Sequence, residues 1–548
     1  MPHLVVGPML RYVDTGSATV WVETDTPCEV EVLGTSTRTL TVHGHHYGLV
    51  VLDGLEPGAS VPYTVSLDGV PVWPEPGAGP GDSPPRSRIR TPSEGSGLRL
   101  LFGSCRTSVP HTPEEWRVHG VDALRAYARR MAAAPDDAEW PDALLLLGDQ
   151  VYADETSERV REVMQARRDT EKPPGTEVAD FEEYAALYRL AWSDPEVRWL
   201  LSTVPTAMVF DDHDIRDDWN TSETWRAQMA AHPWWSVRIR GGLGAYWLYQ
   251  HLGNLAPEDL AQDRVLASLR RCADEGRDGG AVLDAFAAEA DRDPAAYRWS
   301  FVRDFGRTRL VVVDTRCGRM LDEGNRLIVD ADEWSWVEEK AEADVDHLLV
   351  GTSLPYLLPR GIHHIEGWNE AVCAGAWGRR AARVGERIRQ GVDLEHWAAF
   401  RRSFDAMSRL LRRVATRPGA PASVVVMSGD VHYSYLARVR LPGAPSGASA
   451  VVQAVCSPVR NPLSRKMRYA NAVAQVALAR VVGRALAGAA GLRRPELDWS
   501  MEGGPWFDNA LATIVVDGRT ARLRWERAVL RDGVESVLAV SDLSVTRG

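Results

Sequence analysis

Ten consecutive residues, Asp211-Asp212-His213-Asp214-Ile215-Arg216-Asp217-Asp218-Trp219-Asn220, hold five carboxylates and a histidine directly behind the apolar run Val204 to Phe210. Carboxylates this dense repel one another and persist where they are fully solvated or neutralised by cations, and an apolar strand in front of them argues against full solvation. The chemistry this suggests is metal binding. Three other apolar runs end in similar groups. Leu101-Phe102 leads into Gly103-Ser104-Cys105-Arg106, Leu144 to Leu147 into Gly148-Asp149-Gln150-Val151-Tyr152-Ala153-Asp154, and Val424 to Met427 into Ser428-Gly429-Asp430-Val431-His432. A lone Gly-Asp is an ordinary turn and a lone histidine is usually a packing residue. Four such groups at four strand ends are harder to attribute to chance, because the C-terminal ends of strands in an open α/β sheet face one crevice.

The elements that must position these groups begin at Leu98. Buried strands there alternate with helical stretches: Leu98 to Gly103, a helix over Pro113 to Ala133, Ala143 to Leu147 and Val204 to Phe210. Further strands are expected at Leu310 to Val313, Leu348 to Val350, Val424 to Met427 and Val451 to Val455, with a terminal pair around Ala512 to Val516 and Ala521 to Trp525. The alternation predicts an α/β layer. Residues 1–94 instead show short runs of alternating polarity, such as Ala18 to Val22, Val30 to Leu33 and Pro62 to Leu67, which predict an antiparallel β-sandwich. Pro74 to Pro85 reads as a loop. His43, His45 and His46, with no acidic or sulfur partner nearby in sequence, are expected as surface strand residues. We therefore divide the chain into a sandwich over residues 1–94 and an α/β domain over 95–548, with helical, tryptophan-rich insertions at about 155–200 and 221–296. Insertions after strand ends are where a site gains a lid. Trp219, Trp225, Trp234 and Trp235 would form an aromatic wall there or, as is commoner, pack the insertion.

A chain of 548 residues, 45% hydrophobic and 25% charged, can bury a sizeable core. The formal charge of −12 gives no reason to expect bulk electrostatic binding of nucleic acid or anionic membrane. No apolar stretch is long enough for a transmembrane helix. The start, Met1-Pro2-His3-Leu4, has no basic n-region and no cleavage site, so a cytoplasmic protein is expected. Six cysteines without paired spacing should be thiols in that compartment. The stretch Arg465 to Arg494 predicts an amphipathic helix with Leu478, Val481, Val482, Ala485 and Leu486 on the core and arginines outward.

Taken in order, Ser-Cys-Arg, Gly-Asp-x-x-Tyr-x-Asp, Asp-Asp-His-Asp-x-x-Asp-Asp and Ser-Gly-Asp-Val-His resemble the PhoD-like alkaline phosphatases of the calcineurin-like metallophosphoesterase superfamily. The resemblance spans roughly Leu98 to Trp525. It implies a four-layer core, a β-sandwich flanked by helices, preceded by an all-β immunoglobulin- or fibronectin III-like module. It also implies a phosphatase acting on a small-molecule phosphate ester, monoester or diester, through a metal-activated hydroxide. Asp149 would be the carboxylate shared between metals, Asp212, Asp217, Asp430 and His432 further ligands, and Cys105 with Tyr152 the ligands of a second ion. Thiolate with phenolate favours Fe3+ and surplus carboxylate favours Ca2+, with Mn2+ or Zn2+ as alternative occupants. His213 would donate the leaving-group proton. Arg316, after the strand at Leu310 to Val313, and Arg106 are the candidate phosphate clamps, since a guanidinium matches phosphate geometry.

The chain departs from the family in two places. It shows no export signal, and the superfamily's central histidine is replaced by Gly351-Thr352-Ser353-Leu354-Pro355, with His363 and His364 following as replacements or as structural histidines. The alternative from a different functional class is a non-catalytic, metal-stabilised binding or scaffold protein that uses its N-terminal sandwich for recognition.

Overall fold

The computed structural model describes residues 1–75, 85–134, 139–463 and 477–546. Two sheets form its centre. One has six strands in the order Thr206–Val209, Ala143–Leu147, Leu98–Gly103, Ala510–Asp517, Thr520–Arg531, Val534–Ser544, the first three parallel and the rest antiparallel. The other has seven, in the order Phe301–Phe305, Thr308–Val313, His347–Thr352, Ser423–Ser428, Ala450–Val455, Ser434–Arg440, Asp498–Trp506, with four parallel strands in its middle. Leu100, Phe102, Leu145 and Leu147 of the first sheet share one core with Leu349, Val425, Met427 and Val452 of the second. Helices cover the outer face of each sheet, which makes four layers, α/β with a β-sandwich at the centre. Strands buried on both faces read as continuous apolar runs, and Ala143–Leu147 is buried at every position.

The helix expected over Pro113 to Ala133 is two. Pro113–His119 stops at Gly120, whose φ of 68° no longer continues a helix, and Ala123–Ala133 restarts where the Asp122 carboxylate accepts the amides of Leu124 and Arg125.

The N-terminal all-β region contains two four-stranded sheets. Its strand Ser17–Thr24 is buried at all eight positions rather than at alternate ones. The reason is that both faces are covered: Val20 and Val22 pack inside the region, whereas Trp21, with Met9 and Tyr47, joins the core of the helices beyond residue 120. The histidines follow from this and correct the expectation of partnerless surface residues. His45 lies between Glu23 and Glu182 at 2.9 Å from each, His43 meets Asp284 at 3.1 Å, and His46 is buried against Thr41. Most of the Pro74 to Pro85 loop lies outside the described residues.

Of the expected helix at Arg465 to Arg494, the part before 477 lies outside the described residues, and Ala477–Ala489 is helical. Its inward face differs from the expected one. Val481 and Val482 are exposed, as is Ala485, and Gly483 with Ala487 is buried instead. Small residues win because the helix lies close on its neighbour: a Cβ added at Gly483 would stand 3.0 Å from the Gly361 carbonyl oxygen. Among the described residues no helix is long and apolar enough to cross a membrane, and all six cysteines are unpaired.

Candidate metal centre

Four strand ends converge as close-packed backbone. The Gly148 amide donates to the Val209 carbonyl at 2.8 Å and the Arg106 amide to the Asp149 carbonyl at 3.1 Å. A Cβ at Gly429 would stand 2.0 Å from Ser104 Oγ, so only glycine lets the loop of one sheet lie on the loop of the other. Cys105, Asp430 and His432 take φ values of 59°, 65° and 54°, the left-handed region that non-glycine residues occupy at some cost. Three strained residues at one spot mark a place where side-chain direction is worth backbone energy.

Those side chains form three groups whose potential ligand atoms lie within 4.8 Å of one another: Cys105, Asp149 and His432; Asp211, Asp212 and Asp430; Asp212, His213 and Asp217. Asp212 belongs to two of them. Asp149 Oδ1, Asp211 Oδ2, Asp218 Oδ1 and the Tyr152 hydroxyl are buried and make no hydrogen bond of normal geometry among the described residues. Burial, reinforced by like charges, pushes Asp149, Asp211 and Asp214 well above the usual carboxylate range. Burial and the nearby Asp149 push Cys105 and Tyr152 up as well. Buried anions and orphaned donor atoms of this kind are what a multivalent cation relieves. The donor set of thiol, phenol, imidazole and carboxylate fits a metal on chemical grounds.

Behind the carboxylates stands a fixed positive charge. Arg316 is fully buried, and its guanidinium forms a fork with Glu395 at 2.6 Å on both oxygens, reaches Asp212 at 3.1 Å and bonds Asp211. Arg319 adds a second contact to Glu395 at 3.1 Å. Although burial works the other way, these guanidiniums hold the Glu395 carboxyl down at about 2. The clamp expected of Arg316 does not match this arrangement, because its donors are committed to carboxylates and to the Trp219 carbonyl. Arg106 likewise turns away from the site, to Asp122 at 2.9 Å and the Ala191 carbonyl at 2.7 Å.

Two histidines face the cluster on carboxylate tethers. His213 Nδ1 lies 3.0 Å from both oxygens of Asp154, and its Nε2 is 3.7 Å from Asp217, whose side chain is 62% exposed. His396 Nε2 lies 3.1 Å from Asp430, and its Nδ1 is 2.7 Å from Glu366. Burial would lower both imidazoles, but the paired carboxylates outweigh it and raise them well above the ordinary value. His432 has no such tether, and burial lowers it to about 4. His363 packs against Phe404 and Trp499, away from the cluster. Trp219, Trp225 and Trp235 are buried in the helical layer, which favours packing over an aromatic wall.

Residues 111–270 match the PhoD-like phosphatase family, and residues 1–87 match a domain of unknown function, DUF7800. The fold is similar to a solved structure of PhoD, with a TM-score of 0.59 and 12% identity over 99% of this chain and 90% of that one. The resemblance to PhoD-like phosphatases holds. No curated protein matches, and a maltogenic amylase from S.marinus aligns only at a TM-score of 0.16 and 9% identity, which carries no argument. Of the site residues the sequence leads one to expect, Cys105, Asp149, Tyr152, Asp212, His213, Asp217, Asp430 and His432 gather here. Asp154, Glu366, Glu395 and His396 join them, and none of the four is among the ligands or catalytic groups expected from the sequence. Asp154 closes the Gly-Asp-x-x-Tyr-x-Asp motif and was readable from it.

Proposed function

We propose that this protein hydrolyses phosphate esters of small molecules, monoesters or diesters, at a centre of two or more metal ions held by Cys105, Asp149, Tyr152, Asp212, Asp217, Asp430 and His432. Fe3+ with Ca2+ suits a set that mixes thiol and phenol with surplus carboxylate, and Mn2+ or Zn2+ are the alternatives. The observation that carries this reading is the set of buried oxygens on Asp149, Asp211 and Asp218 that make no hydrogen bond of normal geometry among the described residues. When bound, the cations supply electrophilic charge to the phosphoryl oxygens and acidify water.

The chain's own groups supply the rest. His213 is held by Asp154 with Nδ1 engaged, leaving Nε2 directed toward Asp217 and solvent. Although burial works the other way, Asp154 raises the His213 pKa, the direction that suits a donor of the leaving-group proton. Arg316 offsets the charge of Asp211 and Asp212 from behind, its donors committed to carboxylates and to the Trp219 carbonyl. Glu366, through His396, fixes the direction in which Asp430 points.

The test is turnover of p-nitrophenyl phosphate and bis-p-nitrophenyl phosphate after reconstitution with iron and calcium, and again after chelation. Chelator-sensitive hydrolysis that Asp149→Asn abolishes, with an unchanged circular dichroism spectrum, is the expected result. Activity that survives Asp149→Asn would sink the assignment, and bound metal without hydrolysis of either ester would favour the binding-protein reading.

A further inference from the structure

Arg11 lies in the strand Leu4–Val13 of the N-terminal region, is fully buried, and has no carboxylate partner among its hydrogen bonds. Its guanidinium instead donates to the carbonyls of Tyr249 at 2.7 Å, Gln250 at 2.6 Å and Thr206 at 3.0 Å. The first two belong to a helix that starts at Trp235, widens to a π-helical turn over Tyr246–His251 and ends at Leu252–Asn254. Carbonyls in the last turn of a helix have no partner within it, and that end carries partial negative charge. Arg11 therefore acts as a C-terminal cap brought in from about 240 positions away in sequence. The fit is close, since a Cβ at Gly253 would stand 2.5 Å from Arg11 Cζ.

The third acceptor connects this cap to the metal-type residues. Thr206–Val209 is the edge strand that leads into the Asp211 block, and its open side is closed by Arg11 at Thr206 and by the Asn254 amide, which bonds both the N–H and the C=O of Met208. From the same π-helical turn, Gln250 donates to Asp214 Oδ1 at 2.8 Å, while Asp214 Oδ2 accepts the amide of Gln150 at 3.0 Å. Asp214 thus ties the loop of Asp149 to the loop of Asp212 and His213. The π-helical turn is held on its other flank by the N-terminal region, where Tyr249 donates to Glu23 and meets the Tyr47 hydroxyl at 3.0 Å.

From this chain of contacts we infer that Arg11 is a positioning residue for the metal centre, and that the N-terminal region, a domain of unknown function, is a working part of the hydrolase that fixes the Asp149 and Asp212 loops through Gln250 and Asp214. The inference rests on the proposed metal centre for its metal readout but not for its structural one. Wild-type protein, Arg11→Met and, as a control, Val50→Ala are compared at full length. Val50 is buried in the N-terminal region's own core and touches none of these contacts, so its truncation loosens that region without cutting the bridge. Two quantities are measured: Mn2+ affinity by titration calorimetry, and amide hydrogen exchange over residues 206–214 in metal-free protein.

Arg11→Met is expected to weaken Mn2+ binding at least tenfold and to speed exchange over 206–214 at least tenfold, whereas Val50→Ala leaves both within twofold. Equal effects of the two substitutions, or unchanged affinity and exchange in Arg11→Met, would overturn the inference. If Arg11→Met does not fold, Gln250→Met cuts the same chain at its last link, and wild-type behaviour there would overturn it equally. A wild-type protein that takes up no Mn2+ removes Mn2+ as an occupant of the metal centre and nothing more, since the exchange rates then still decide whether Arg11 orders the Asp211 block.

Discussion

His396 Nε2 and Asp430 Oδ2 stand 3.1 Å apart, with the far side of the imidazole held by Glu366 at 2.7 Å. A carboxylate, histidine and carboxylate in line leave Asp430 one free oxygen and one direction in which to present it. Groups that orient a metal ligand this way are commonly worth 10- to 100-fold in metal affinity or activity. His396→Ala should therefore lower Mn2+ affinity by about that factor, and His396→Asn, which can still donate to one carboxylate, should recover part of it. Wild-type metal affinity in His396→Ala would remove the residue from the site.

Arg316 and Glu395 should reveal themselves through stability rather than substrate affinity. Removing one member of a buried pair leaves an uncompensated charge, at a cost of about 3–5 kcal/mol. Arg316→Met, which strands Asp211 and leaves Glu395 with its Arg319 contact, is expected to lose roughly that much in chemical denaturation. A phosphate clamp would behave in the opposite way, with KM for p-nitrophenyl phosphate raised and the denaturation midpoint unmoved.

The contrast between these two residues indicates what a sequence can and cannot disclose. Asp149, Asp212 and Asp430 were legible because each follows an apolar run whose strand is buried on both faces, and the rule that strand ends share a crevice brings them together. Arg316 follows such a strand too, and a buried structural arginine cannot be told from a free one without its partners. His396 follows no strand, since it lies in the loop after the helix Arg379–Gly391, so nothing local points to it. The same holds for the fold. The core strands were readable from their apolar runs, but the dependence of the N-terminal region on the rest was hidden, because Thr206 beside Arg11, Asp284 beside His43 and Glu182 beside His45 are more than 130 positions away.

Metal removal should make stability depend on pH in a definite direction. Asp149, Asp211 and Asp214 titrate above their unfolded values, and burial, then Glu395 and Asp393, carry Asp218 up to about 9. A carboxyl raised in the folded state contributes stability that is present below the unfolded pKa and is lost as pH rises through the folded one. Between pH 6.5 and 9, chelated protein should lose stability at about 1.4 kcal/mol per pH unit for each such group still titrating. Glu333, raised to about 8 chiefly by burial, contributes to the chelated and the metal-loaded protein alike. The gap in melting temperature between the two forms isolates the cluster, and it should widen with pH. A gap that stays constant or narrows would mean that the carboxylates are not what the metal neutralises.

Asp154 offers a test of the proton donor that spares the metal-type ligands. Burial alone would lower the His213 imidazole, and the charge and hydrogen bond of Asp154 are the main reasons it is raised instead. Asp154→Asn should bring it down, so the alkaline limb of the pH profile of kcat/KM moves to lower pH. The size of the loss should depend on the leaving group. An alkoxide needs a proton as it departs, and general acid catalysis is typically worth about 10²–10⁴ in rate. p-Nitrophenolate leaves as a stable anion and needs little help. Hydrolysis of an alkyl phosphate should therefore fall by that range while p-nitrophenyl phosphate falls far less, with Mn2+ affinity unchanged. Equal losses on both esters, or an alkaline limb that does not move, would take His213 out of the proton-donor role and leave Asp154 as a structural tether for the 211–220 loop.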